Sequence, residues 1–353
     1  MPPPPRRRSP SDPLRVVFHI GPHKTGTTYM QRRFFQLRTR LARHGITYHM
    51  PNQAHLPLHE PTRVAGPGTM QHSDIATRLT PALAGAVADE VAAIRASTQA
   101  CLLISSEALA KPSAEQLAPL KEIFAKDQVE VYAYCRRWSD RLPSHWWQLV
   151  SSGLTTPFPE WLAATLKQGT RNRIVNESVL WQRWADLFGR DAVHILSYDA
   201  LRAARVDIAD DFLHTRLRWP GKYIVPPQRR DMRTMPSPLE MEVIRALSLY
   251  AASHSAAITP KMRSDTLDRL RAADFQPFRD IVGENLETLP IDDMDPVFDE
   301  SRQAMKAWED RLATTALSPN ILLPRISNFR FVAPEALQQP AAQAAFGDLL
   351  VPA

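Results

Sequence analysis

Residues 16–30 read VVFHIGPHKTGTTYM. The apolar run Leu14–Ile20 stops at Gly21 and reads as a buried strand. Beyond the turn, Met30, Phe34, Leu37 and Leu41 recur at helical spacing and predict a helix from about Thr25 to Arg43. A glycine-bearing turn between a strand and a helix offers unpaired backbone N–H groups and the positive end of a dipole to an anion. Lys24 adds a mobile cation, and Thr27 and Thr28 add hydroxyls. The order of residues excludes the ATPase loop. There the lysine follows the second glycine, as G-x-x-x-x-G-K-[ST], whereas Lys24 precedes Gly26.

The pattern continues outward in the same alternation. Gly45–Tyr48 suggests a short second strand, and Leu83, Val87, Val91 and Ile94 line one face of a helix. Cys101–Ser105 reads as the next strand. Ser113 and Gln116 have capping-box spacing ahead of a helix reaching Phe124. Val129–Cys135 is a further strand, followed by a helix from about Asp140 to Ser151. Asn176 is placed to cap a helix that Gly189 ends, and Val193–Leu196 is another strand. Strands with little alternation, interleaved with helices, predict an α/β fold: a parallel sheet flanked by helices. From about Met235 the pattern predicts helices only, near 237–254, 260–273 and 299–313. The expected organisation is a disordered tail at 1–13, a core at 14–234, and a helical C-terminal part at 235–353. That part either belongs to the same domain or forms a lid.

Composition narrows the function classes. The 353 residues carry a net charge of +6 and are 44% hydrophobic, enough for a sizeable core. The basic residues are dispersed rather than interleaved with aromatics in a stripe, which disfavours nucleic acid and suits small anionic ligands. Cys101 and Cys135 sit in apolar runs, with neither a disulfide framework nor zinc spacing. The start MPPPPRRRSPSDP lacks an apolar signal core, and no apolar run reaches about 18 residues. The expectation is a cytoplasmic protein with no transmembrane segment; the oligomeric state is not encoded.

The Lys-Thr-Gly-Thr-Thr turn between a first strand and a first helix resembles the 5′-phosphosulfate loop of sulfotransferases. These use 3′-phosphoadenosine-5′-phosphosulfate (PAPS). His19-Ile20-Gly21-Pro22-His23-Lys24-Thr25-Gly26-Thr27-Thr28 is similar to bacterial sulfotransferase-like proteins. The resemblance covers about residues 14–215 and implies a P-loop-like core. It assigns Lys24, Thr25, Gly26, Thr27 and Thr28 to PAPS, with Lys24 also catalytic. A second element strengthens it. In the family the strand that reads the 3′-phosphate ends in an Arg, with a Ser eight residues later; Arg136 and Ser144 reproduce that spacing, with Arg137 as an alternative to Arg136. A guanidinium at a strand end can fork onto a phosphate. By the same resemblance Tyr29 and Tyr198 are candidate adenine contacts. The family's C-terminal Arg-Lys-Gly segment has no counterpart, unless Arg229, Arg230 and Arg233 replace it.

The acceptor needs a base. Glu107 follows the strand that precedes the Arg136 strand, where cytosolic sulfotransferases carry a catalytic His. A partly desolvated carboxyl there can be tuned upward for proton transfer. His55 is the alternative base, with His49, His59 and His72 in the same stretch. The implied reaction moves a sulfuryl group from PAPS, leaving PAP, to a hydroxyl or amine of a small-molecule or glycan acceptor, with no metal. Trp146, Trp147 and Trp161 are candidates for an acceptor pocket or for the core. The competing readings are a catalytically silent PAP-binding module and a P-loop-like nucleotide kinase.

Overall fold

The computed structural model describes residues 9, 11–22, 24–48, 81–221, 236–253, 259, 262, 265–268, 286–309 and 322–344. The chain order is β1 Arg15–His19, α1 Thr27–Arg43, β2 Ile46–Thr47, α2 Pro81–Ala96, β3 Cys101–Ser105, α3 Ala114–Ile123, β4 Gln128–Cys135, α4 Trp138–Ser151, α5 Phe158–Lys167, α6 Ser178–Phe188, β5 Val193–Ser197, α7 Tyr198–Ala203, α8 Ile208–Asp211, α9 Pro238–Ser253, β6 Leu286–Asp292, α10 Asp299–Lys306 and β7 Ile326–Val332. It forms two compact units. The first comprises Met1–Arg136, Asn176–Met232 and Ser301–Leu323; the second comprises Arg137–Val175, Arg233–Glu300 and Pro324–Ala353.

The first unit is the predicted α/β layer structure. Five strands form one sheet in the order β2-β3-β1-β4-β5, and every pairing is parallel. The strands are apolar on both faces because both faces are covered. Val17, Leu103, Tyr132, Tyr134 and Leu196 point to the face where Met30 and Phe34 of α1 and Ile208 of α8 pack. Phe18 points the other way. Its ring lies 5.4 Å from Phe124, 5.0 Å from Trp184 and 6.0 Å from Phe188. Burying such aromatic side chains contributes about 1.5–3 kcal/mol each.

Two of three local signals act as the sequence predicts, and Asn176 stands one residue ahead of the cap position. Ser113 and Gln116 close a reciprocal capping box on α3. Asn176 Oδ1 accepts the Ser178 N–H at 3.1 Å, one residue ahead of the formal N-cap of α6. Gly189 stops α6 with φ of 89°, a left-handed backbone that glycine adopts without strain. At the amino-terminal ends of two interior strands, away from the loop, Arg15 forks onto Glu130 at 2.8 and 2.7 Å. Burial opposes the Glu130 charge, but Arg15 and the Tyr132 hydroxyl outweigh it and hold the carboxyl below its usual range.

The second unit departs from the helix-only expectation for the C-terminal part. β6 and β7 form a two-stranded antiparallel sheet, from Leu286↔Val332 to Asp292↔Ile326. Pro290 sits in β6, and a two-stranded ribbon tolerates it because each strand keeps an unpaired edge. The predicted helix at 299–313 is α10, which ends at Lys306 and belongs from Ser301 onward to the first unit; most of 260–273 lies outside the described residues. The core of this unit is aromatic. Trp146, Phe158 and Phe329 meet with ring centroids 4.1–5.9 Å apart. Trp138 stacks on Phe298 at 4.5 Å. Trp146 is therefore core, while Trp147 and Trp161 are half-buried. Asp293 holds Ser139 at the start of α4, accepting from its N–H at 2.7 Å and its hydroxyl at 2.8 Å. No described helix is long and apolar enough to cross a membrane.

Candidate functional site

Strand order fixes where a ligand gathers. The connection leaving β1 goes to the β2–β3 side of the sheet, and the connection leaving β4 goes to the β5 side. Adjacent strands whose connections diverge open a crevice at their carboxyl ends. The β1–α1 loop and Arg136 stand at those two ends.

The loop has a backbone form that can receive an anion. Lys24 has φ of 73° and Gly26 φ of 79°, two left-handed residues at alternate positions. Such alternation turns successive N–H groups to one side and forms an anion-binding nest. Gly26 caps α1 without a side-chain hydrogen bond, and the first turn of the 17-residue helix holds no acidic residue. The positive end of its dipole is thus not answered by a carboxylate of that turn. Thr25 is fully buried and its hydroxyl donates to the Pro22 carbonyl at 2.8 Å, stapling the turn. Thr27 is 2% exposed and its Oγ1 has no hydrogen-bond partner. A buried hydroxyl left in that state costs about 1–3 kcal/mol. Its position at the first residue of α1 points to a ligand. Thr28 and Tyr29 are half-buried on the same turn. His23 lies outside the described residues.

Glycine is required at Gly21. A Cβ there would stand 2.3 Å from Thr27 Oγ1 and 3.1 Å from His19 Nε2. Gly21→Ala is expected to push the Thr27 hydroxyl out of its place and to weaken PAP binding at least about tenfold, measured by titrating the variant with PAP while circular dichroism reports its fold.

Arg136 reaches the loop directly. Its Nη1 donates to the Lys24 carbonyl at 2.8 Å, and its guanidinium carbon lies 5.2 Å from the centre of the Tyr198 ring. Tyr198 and Ile208 flank Gly26, each 3.6 Å from where a Cβ would be. Tyr198 therefore supports Arg136 and the loop together. Tyr29 is fixed from below. Its hydroxyl donates to Asp207 Oδ2 at 2.5 Å, and the other oxygen of Asp207 caps α8. Burial, followed by Asp207, pushes the Tyr29 phenol above its usual range. Arg33 approaches the ring at 5.9 Å.

Glu107 opens a one-turn 3₁₀ helix, Glu107–Ala110, at the carboxyl end of β3, and Ser106 caps that turn by accepting the Ala108 N–H. The Ser106 N–H donates to the His19 carbonyl at 3.1 Å, so Glu107 stands on the same sheet edge as the loop. Arg136 ends the first unit, whereas Ser144 lies on α4 in the second and is 8% exposed. Arg137 pairs with Asp140 at 2.8 Å. The alternative base His55, and His49, His59, His72, Arg229, Arg230 and Arg233, lie outside the described residues. Among the described residues, no group of three or more His, Cys, Asp or Glu side chains gathers as a metal site.

Asp207 and His19 were not readable as site residues. Asp207 sits in an unremarkable polar stretch, 178 residues from its partner Tyr29. His19 carried one signal: it is a lone polar residue at the end of an apolar strand.

No family model matches the chain, and no curated protein matches it. Among solved structures, the crystal structure of a sulfotransferase from Alicyclobacillus acidocaldarius aligns with 69% of this chain and 96% of its own length, at 17% identity and a TM-score of 0.36.

Proposed function

We propose that the chain is a sulfotransferase that transfers a sulfuryl group from PAPS to a hydroxyl or amine. The observation that carries this is the loop: a lysine before the glycine, left-handed backbone at Lys24 and Gly26, and the partnerless buried hydroxyl of Thr27. Arg136, bonded to the loop's own backbone, supports a second anionic contact beside the first. Ser144 is proposed as a 3′-phosphate ligand on sequence spacing alone.

Sulfuryl transfer resembles phosphoryl transfer, in which catalysis is mostly positioning and electrostatics. The acceptor oxygen or nitrogen forms a bond to sulfur as the bond from sulfur to the bridging phosphate oxygen breaks. Lys24 and the loop N–H groups balance the charge left on the departing 5′-phosphate. Glu107 takes the acceptor's proton, at the edge that carries the loop. Tyr29, held by Asp207, offers a ring to the adenine.

Thermal stabilisation by PAP, followed by PAPS turnover on a panel of hydroxyl and amine acceptors, tests the reading. Stabilisation without any turnover assigns a silent binding module, and turnover of ATP in place of PAPS assigns a kinase. Glu107→Gln is expected to lower kcat roughly 100-fold while PAP affinity stays within about threefold. Full activity in that variant moves the base to the 49–72 histidines.

A further inference from the structure

At the root of the loop lies a second partnerless buried atom, His19 Nε2. His19 is fully buried. Nε2 and Thr27 Oγ1 lie 3.1 and 2.3 Å from the point a Cβ on Gly21 would occupy, beside each other but not hydrogen-bonded. The other ring nitrogen, Nδ1, is 2.8 Å from Ser105 Oγ at the end of β3. Ser105 is held from α1 as well, its carbonyl accepting Gln31 Nε2 at 2.8 Å. Around the imidazole stand the rings of Phe34, Tyr134 and Phe212, with centroids 6.5, 5.8 and 5.4 Å away. Burial in this apolar setting pushes the imidazole pKa down to about 3, so the ring is neutral, with one nitrogen donating and one accepting.

We propose that His19 is a positioning residue of the anion loop. The Ser105 hydroxyl donates to Nδ1, and Nε2–H donates to Thr27 Oγ1 as the loop closes on a phosphate. Thr27's own proton is then left to point outward, to the anion. Each donor in the chain Ser105, His19, Thr27 polarises the next. The opposite tautomer would draw Thr27's proton into the ring and turn an oxygen lone pair towards the phosphate, which repels it. A glycine at position 21 leaves the space in which the imidazole and the hydroxyl meet. The same chain ties the loop to the end of β3, two residues before Glu107. This inference rests on the phosphate-binding reading of the loop and gives Thr27 its polarity.

Histidine-ring 15N NMR tests it, with the His19 signals assigned by their loss in His19→Gln. The expected spectrum shows the Nε2–H tautomer with no titration between about pH 5 and 8. Saturation with PAP, or with inorganic pyrophosphate as a nucleotide-free probe, shifts Nε2, and Thr27→Val abolishes that shift. In PAP titrations His19→Gln, which keeps an N–H near the Nε2 position, stays within about threefold of the parent. His19→Leu weakens binding roughly tenfold. An Nδ1–H tautomer, a shift that survives Thr27→Val, or equal losses in the Gln and Leu variants overturns the proposal. If pyrophosphate shifts Nε2 and PAP does not bind, the PAPS reading fails and the role of His19 stands. A ring that ignores both probes overturns the role.

Discussion

Replacing Lys24 by alanine is expected to lower sulfuryl transfer by about 1,000-fold or more while the protein stays folded. Removing one preorganised charge-stabilising group from a reacting centre typically costs about 10²–10³ in kcat. Lys24 should lie at the upper end, because it is the one cation within the loop sequence. Backbone strain must be separated from charge, since Lys24 has φ of 73° and alanine is not at ease there. Lys24→Gly removes the charge and suits the backbone, so it should be as inactive as Lys24→Ala. Lys24→Arg should keep PAP affinity within about tenfold and lose more in kcat, because a planar fork does not replace a point charge. Turnover measured with PAPS and any acceptor that the parent uses gives the comparison. Parental rates in Lys24→Gly would sink the mechanism.

The largest expected effect on stability lies in the second unit. Glu242 and Arg245 of α9 pair at 2.8 Å with side chains 1% and 2% exposed. Arg245 also donates to the Thr155 carbonyl at 2.9 Å. Glu242 Oε1 and Arg245 Nη2 have no hydrogen-bond partner, so the pair is only partly satisfied. Arg245→Ala strands a buried carboxylate and is expected to destabilise this unit by about 3–5 kcal/mol. The double variant Arg245→Met with Glu242→Leu, of similar volume, is expected to fall within about 2 kcal/mol of the parent. Urea denaturation followed by tryptophan fluorescence reads both. Burial pushes the Glu242 carboxyl up, against the pull of Arg245. A carboxyl whose folded pKa is raised contributes its full share of stability below its unfolded pKa, and loses it as pH rises through the folded value. Without the guanidinium the folded value rises further, so that loss grows and extends to higher pH.

The parts legible in the sequence were those with a local signature. Apolar runs marked β1, β3, β4 and β5 because those strands are covered on both faces, whereas the two-residue β2 was suggested only by the short stretch Gly45–Tyr48. Ser113 with Gln116, and Gly189, marked helix ends through chemistry confined to a few residues. The loop was legible because its glycines, lysine and threonines are contiguous. β6 and β7 were not, since neither strand alternates cleanly: β6 buries Ile291 alone, and β7 buries Phe329 together with the adjacent Phe331 and Val332. Their pairing is also long-range. The supports of the site were hidden for the same reason. Asp207 under Tyr29, Ser105 against His19, and Tyr198 beneath Arg136 are each brought together by the sheet and not by spacing along the chain.

The central place of β1 has a consequence for how this protein comes to exist. Its two neighbours are β3, where Arg15 pairs with Cys101, and β4, where Arg15 pairs with Gln128. On the ribosome the strand must therefore wait, apolar, for a first partner whose pairing residue lies 101 − 15 = 86 positions on and a second whose pairing residue lies 128 − 15 = 113 positions on. Contacts of that reach form slowly and expose the chain to misassembly meanwhile. The β1–α1 loop takes its shape from β1 and β4 together, so the proposed capacity to hold a phosphate would be acquired late in synthesis, when β4 docks. A nascent chain stalled before Gln128 should have no such capacity, and phosphate binding can serve as a clock for completion of the sheet.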